Sequence, residues 1–135
     1  MSQGDSETII RNFLTEWAND GWMESFSRYI HPDCVWRNSG FPDVVGKEAV
    51  MTLLTGMLEK FGIKGANVEV IALVANGDRA MVERIDHMVD PREGEHSTPT
   101  MGSFRLKDGL IVYYADYFDP TRYLHGVADA TSQLS

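Results

Sequence analysis

The chain has 135 residues, 43% of them hydrophobic and 24% charged, which is enough apolar material for one compact domain over 1–135 and too little length for a two-domain enzyme. Its 12 Lys and Arg stand against 20 Asp and Glu, a formal net charge of -8. That sign is wrong for holding a polyphosphate backbone or an anionic membrane surface, so neither nucleic acid nor a membrane is an expected partner.

At the amino end, the acidic and polar stretch 1–7 lacks the basic start and apolar run of a secretory signal. The longest apolar run, 70–75, is far short of the roughly 18 residues of a membrane span. A soluble cytoplasmic protein is expected, with 1–5 and 128–135 as frayed tails. Asp5 or Ser6 caps a first helix with Ile9, Ile10, Phe13, Leu14 and Trp17 on one face, and Asn19-Asp20-Gly21 stops it. Met23, Phe26 and Ile30 recur at helical spacing in a short second helix, which His31-Pro32-Asp33 ends. Residues 34–38 read as a brief strand. Over 47–61, Val50, Leu53, Leu54, Met57, Leu58 and Phe61 form an apolar stripe with Gly62 just beyond, the pattern of a helix closed by a glycine.

Beyond Asn67 the period changes to two. Residues 68–74 and 79–89 flank Asn76-Gly77-Asp78 and predict a hairpin, while 90–99, with two prolines and Gly94, predicts a loop. Residues 100–106 and 110–118 flank Lys107-Asp108-Gly109 and predict a second hairpin, after which Asp119-Pro120 has the form of a cap and first position of a short last helix. Helices followed by antiparallel hairpins indicate an α+β domain with the helices covering one face of a curved sheet, and curling that sheet leaves a pocket.

Strand alternation places Leu110, Val112, Tyr114, Asp116 and Phe118 on one side, a carboxylate in an apolar row. It likewise groups Ala80, Val82, Arg84, Asp86 and Met88, against a competing apolar row of Met81 and Ile85. If Arg84, Asp86 and Asp116 all point inward, the cost of burying charge demands pairing, and the planar fork of Arg84 can join both acids. An internal ion pair that only stabilises the hairpin is the plain alternative, although buried pairs are often no better than apolar replacements. Functionally, one carboxyl kept protonated and one ionised divide acid and base roles, a layout suited to adding water across a strained ring in one step.

Val82-Glu83-Arg84-Ile85-Asp86 and Tyr114-Ala115-Asp116-Tyr117-Phe118-Asp119, with Trp36-Arg37-Asn38 and Gly46-Lys47-Glu48-Ala49-Val50 upstream, resemble limonene-1,2-epoxide hydrolase in order and spacing over 13–124. The resemblance implies that Asp86 protonates the epoxide oxygen, Asp116 deprotonates the attacking water, Arg84 bridges the two carboxyls, and Asn38 helps hold the water. Trp36 stands where that family usually has tyrosine, and its indole N–H donates a hydrogen bond but cannot accept one. The resemblance also implies a curved mixed sheet forming a cone-shaped partial barrel covered by N-terminal helices (the NTF2-like fold), a homodimer, and no metal or organic cofactor. No Gly-rich phosphate loop or metal-ligand spacing appears in the sequence.

The remaining candidates read as structural. Cys34 is a lone cysteine, expected as a buried thiol, and His31, His87, His96 and His125 show no zinc-ligand spacing with it. His87 alternates away from Asp86 and reads as a surface or interface residue, and His31 as a loop residue. Met57, Leu58, Phe61, Leu73, Met88, Met101, Phe104 and Tyr114 are core positions; all of these except Met101 are carried forward as candidates to line the pocket, implying a small apolar substrate. Ser97, Thr98 and Thr100 show no triad with a base and read as loop or edge positions. Gly40, Gly46, Gly62, Gly77 and Gly109 read as turn residues. Two other functions fit the same fold: proton transfer as in ketosteroid isomerases or polyketide cyclases, for which a single Asp base plus a neutral acid suffices, and a non-catalytic binding module. The Arg84 pairing with two acids separates hydrolysis from both.

Overall fold

Helix α1 (Gln3–Asn19) begins before the Asp5 or Ser6 cap expected from sequence and buries Ser6, Ile10, Phe13, Leu14 and Trp17, a row at steps of three and four. The computed structural model describes residues 3–121, so the last helix expected after Pro120 and the tail beyond 127 lie outside the described residues. Helix α2 (Gly21–Tyr29) follows at once, and the Ser25 hydroxyl donates to the Phe13 carbonyl at 2.7 Å, fastening α2 across α1. Ile30, expected on the face of α2, instead opens strand β1 (Ile30–Asn38). His31, Pro32 and Asp33 therefore belong to β1, where they form an irregular bulge between the paired residues Ile30 and Val35. Proline has no N–H for a sheet ladder, and the bulge takes it out of pairing.

Two-residue strand β2 (Val44–Val45), too short to read from sequence, pairs antiparallel with β1. Helix α3 (Lys47–Phe61) has the expected bounds and ends on Gly62, whose φ of 71° and N–H bond to the Leu58 carbonyl (2.9 Å) form a left-handed cap. Strands β3 (Asn67–Asn76), β4 (Arg79–Asp90), β5 (Gly94–Lys107) and β6 (Leu110–Tyr117) complete a six-stranded sheet of order β2-β1-β6-β5-β4-β3. The β1–β6 pair is parallel and the others antiparallel, giving a mixed, curved and unclosed sheet covered by the helices. Among the described residues no helix is long and apolar enough to cross a membrane.

Two expectations change here. The segment 94–99 is strand, not loop, because Asp90 already pairs with Gly94 and the turn is only 91–93. The Asp90 carboxylate closes that turn by accepting the Arg92 N–H at 2.7 Å, and Pro99 lies beyond Met101, the last β5 residue paired with β6, where one edge of β5 has no partner strand among the described residues. Secondly, β6 carries an extra residue at Val112, since Arg105 pairs with Tyr113 and Leu106 with Ile111. This bulge reverses the alternation, so Ile111 enters the core with Tyr114 and Asp116, and Leu110 and Val112 are only partly buried.

The core is unusually aromatic. Phe13 makes edge-on or tilted contacts with Trp17, Phe26 and Tyr114, while Phe104 stacks on Tyr114 with ring centres 4.5 Å apart. Where the connection into β3 passes beneath α1, a side chain is not tolerated: a Cβ on Gly65 would lie 2.0 Å from the Trp17 carbonyl oxygen. Backbone meets backbone there, so Gly65→Ala is expected to destabilise the fold by about 2 kcal/mol or more, read from urea denaturation midpoints.

Candidate active site

Strand β4 follows the expected alternation without interruption, and Ala80, Val82, Arg84, Asp86 and Met88 are all buried on the helix-covered face, whereas Met81 points outward and is exposed. The register then determines what meets what. Gly102 of β5 pairs with Val82 on one side and with Asp116 of β6 on the other, and Asn38 of β1 pairs with Asp116. Arg84, Asp86, Asp116 and Asn38, assigned from distant parts of the sequence, thus share one region of the inner face.

The Arg84 side chain has no exposed surface and is fully engaged. Its Nε donates to Asp86 Oδ1 at 2.9 Å and Nη2 to Asp86 Oδ2 at 3.2 Å. Towards β6, Nη1 donates to Asp116 Oδ1 at 3.0 Å and Nη2 to Asp116 Oδ2 at 2.8 Å. One guanidinium thus forks to both carboxylates, with the Trp17 ring 5.3 Å from its carbon on a third side. Tyr114, expected among the pocket residues, is completely buried; its hydroxyl donates to Asp116 Oδ2 at 2.5 Å and accepts from Arg84 Nη2 at 3.1 Å. Only the two acids reach solvent, with side-chain exposures of 12% for Asp86 and 9% for Asp116.

Burial raises the Asp86 pKa above the ordinary carboxylate range, and the Arg84 charge offsets this only in part. The Arg84 pKa lies still higher than usual: burial opposes its charge, but Tyr114, Asp116 and Asp86 outweigh that. One positive charge against two acids makes a buried cluster that is electrically neutral when one acid keeps its proton. Asp86 is the acid that burial favours for that role.

Gly102 makes the crossing from β4 to β6 possible. A Cβ there would sit 2.5 Å from Arg84 Nη1, 3.0 Å from Phe104 and 3.1 Å from Asp116 Oδ1. An isolated glycine inside a strand pattern signals such close approach, and the sequence carried that signal unread. The role of Tyr114 was missed for a different reason, because a tyrosine in an apolar row reads as packing.

The other expected site residues divide. Trp36 is buried on the inner face, in register with Tyr114 and stacked on it at 6.0 Å, and its indole N–H has no acceptor among the described residues. Met88 is buried two residues beyond Asp86 on the same face. Phe104 supports Tyr114 from behind. Leu73 pairs with Val82, farther from the acids than Arg84 is, and packs against the core. Met57, Leu58 and Phe61 are half-buried on α3, and the Phe61 ring faces Arg92 of the β4–β5 turn at 4.8 Å. Met101, read as core, is exposed on the outer face, and His31 lies in β1. Cys34 is buried as expected, its thiol pKa pushed up to about 12 by desolvation. On the outer face, Ser97 Oγ lies 2.7 Å from His87 Nδ1 and Glu69 Oε1 lies 3.0 Å from His87 Nε2. That row joins β3, β4 and β5 and corrects two expectations, that Ser97 forms no triad with a base and that it lies in a loop. Among the described residues no group of three or more His, Cys, Asp or Glu is placed to hold a metal ion.

The inner face of a curved sheet, roofed by helices and carrying paired acids, defines a cone-fold domain with a polar centre in an aromatic core. The chain belongs to the SnoaL-like domain family, whose model matches residues 10–114. It is similar in structure to an LEH-like epoxide hydrolase from M. tuberculosis, with a TM-score of 0.73, 25% sequence identity, and coverage of 87% of this chain and 80% of that one. A candidate SnoaL-like polyketide cyclase from Jannaschia sp. CCS1 superposes with a TM-score of 0.73 at 18% identity, covering 90% of each chain. An NTF2-like protein of unknown function from Burkholderia pseudomallei gives 0.76 at 13% identity, covering 93% of this chain and 97% of that one.

If Gly102 exists to let Arg84 reach Asp116, then Gly102→Ala is expected to lower stability by about 1–3 kcal/mol through overpacking. Denaturation curves measure it, and the conservative Gly102→Ser should cost at least as much.

Proposed function

We propose that the protein is an epoxide hydrolase that adds water to a small apolar epoxide, cyclic or terpene-like, to give a vicinal diol in one step. The observation that carries this reading is the single buried guanidinium forked to two carboxylates, each with an edge open to solvent. The 25% identity to an LEH-like epoxide hydrolase supports it. Proton-transfer chemistry of the isomerase or cyclase kind needs one base and one neutral acid, and gives no task to a guanidinium that joins the two.

In this mechanism water attacks one epoxide carbon as Asp116 takes its proton, the carbon–oxygen bond of the ring breaks, and the departing oxygen takes the proton of Asp86. Asn38 lies beside Asp116 in register, and the unpaired Trp36 indole N–H is available as a donor to the water oxygen, leaving the water hydrogens for the base. Asp116 then holds the proton and Asp86 has lost one. Arginine has no acceptor and cannot pass the proton back, so resetting runs through solvent at the two exposed carboxylate edges.

A homodimer forms part of this reading. Support comes from the outer sheet face, where Val74 and Met81 are 64% and 52% exposed and Ile71 and Met101, 52% and 44% exposed, line a shallow groove of about 280 Å³. Arg79 and Arg105 lie towards one end of this face and Glu69 towards the other, so a twofold axis sets opposite charges against each other. Met81→Glu is expected to convert the dimer to monomer in sedimentation velocity; a wild-type protein that stays monomeric at micromolar concentration contradicts the dimer.

Kinetics with limonene-1,2-epoxide and cyclohexene oxide test the chemistry. Asp116→Asn and Asp86→Asn are expected to abolish diol formation with the fold intact, and Arg84→Lys to lose most of it because an ammonium cannot reproduce the fork. Since Asp86 must be protonated to act as the acid and its pKa is raised, kcat/KM is expected to fall as pH rises through that raised value. Undiminished turnover by Asp116→Asn would remove that residue from the base role.

A further inference from the structure

We propose that Tyr114 is a positioning residue for the base: its hydroxyl occupies Asp116 Oδ2 and leaves Oδ1 as the oxygen that takes the proton from water. The inference rests on the hydrolase reading for its kinetic consequence, but its geometry stands apart from that reading. Among the described residues, Asp116 Oδ2 accepts two bonds, from Arg84 Nη2 at 2.8 Å and from the Tyr114 hydroxyl at 2.5 Å, whereas Oδ1 accepts one, from Arg84 Nη1 at 3.0 Å. A carboxylate oxygen has two lone pairs, so Oδ2 is saturated and Oδ1 keeps one free.

The hydroxyl has a fixed direction. Phe104 stacks on the Tyr114 ring at 4.5 Å, Trp36 stacks at 6.0 Å, and Phe13 and Phe26 close the remaining sides at 5.7 and 6.2 Å. Arg84 Nη2, donating to the tyrosine oxygen at 3.1 Å, turns the O–H towards Asp116. Tyr114 and Trp36 are register partners on neighbouring parallel strands, so the residue that orders the base and the one offered to the water stand side by side. The Tyr114 bond also loses its charge assistance when Oδ1 takes a proton, so it favours the ionised base before each turnover.

The test uses full-length Tyr114→Phe with cyclohexene oxide as the probe. Phenylalanine keeps the ring stacked on Phe104 and deletes only the hydroxyl. The acidic limb of the kcat/KM profile is expected to move to higher pH by about one unit or more, and kcat to fall roughly tenfold or more with KM little changed. The alkaline limb, set by Asp86, should stay in place, which a general loss of packing would not arrange. A Tyr114→Phe profile that superposes on wild type overturns the proposal.

A second readout needs neither turnover nor a variant. In wild-type protein with tyrosine ¹³C-labelled at the carbon bearing the hydroxyl, the Tyr114 signal is expected to shift in step with ionisation of Asp116. A Tyr114 signal that stays constant while the Asp116 carboxyl signal titrates overturns the proposal even if the phenylalanine variant fails to fold. If the wild-type enzyme opens no epoxide, the hydrolase reading fails, and this titration still decides whether the Tyr114 hydroxyl is bonded to the Asp116 carboxylate.

Discussion

A guanidinium that cannot release its proton, buried among aromatic rings, sets the conditions for everything around it. Arg84 is charged at any accessible pH, and in so dry a place that charge must be answered. Two carboxylates answer it, and together they carry one more negative charge than is needed when both are ionised. A single proton held between them would make the buried group neutral, and burial raises the Asp86 pKa, so Asp86 is the acid favoured to hold it. In the proposed reading, that difference is what divides acid from base.

The surrounding fold can be read as what this cluster requires. Arg84 starts on β4 and must reach β6 across β5, which is possible only because Gly102 leaves the space between them open. Tyr114 and Asp116 must face inward together, and the bulge at Val112 brings them into phase with Ile111 and the core. The aromatic rings of α1, α2, β1, β5 and β6 exclude water from Arg84 while leaving one edge of each acid open. Low dielectric strengthens each hydrogen bond in this network and makes an unpaired member expensive, so the five residues Arg84, Asp86, Gly102, Tyr114 and Asp116 behave as a unit.

Much of this was legible in the sequence where the pattern was strict. The uninterrupted period of two from Ala80 to Met88 located Arg84 and Asp86 on the inner face, and the stripe with its terminal glycine gave α3 its bounds. Legibility failed where a local irregularity broke the period. Adjacent apolar residues at Ile111 and Val112 concealed the β6 bulge, and the bulge around Pro32 in β1 looked like a helix stop ahead of a brief strand. Residues 90–99 looked like a loop because two prolines and polar side chains carry no hydrophobic period, yet pairing with the long β4 holds 94–99 as strand. The buried cluster of Arg84, Asp86 and Asp116 was readable as charge in the wrong place, but the tyrosine hydroxyl that completes the network looks like ordinary core until its neighbours are known.

The central claim is that two acids add water directly, with no covalent bond between protein and substrate. Single-turnover reaction of excess enzyme with cyclohexene oxide in ¹⁸O-labelled water, followed by mass spectrometry of the diol, tests it most directly. Label in the diol of the first turnover is the expected result. Unlabelled diol in that turnover would mean that a carboxylate oxygen of the protein had been transferred through an ester, and would contradict the account.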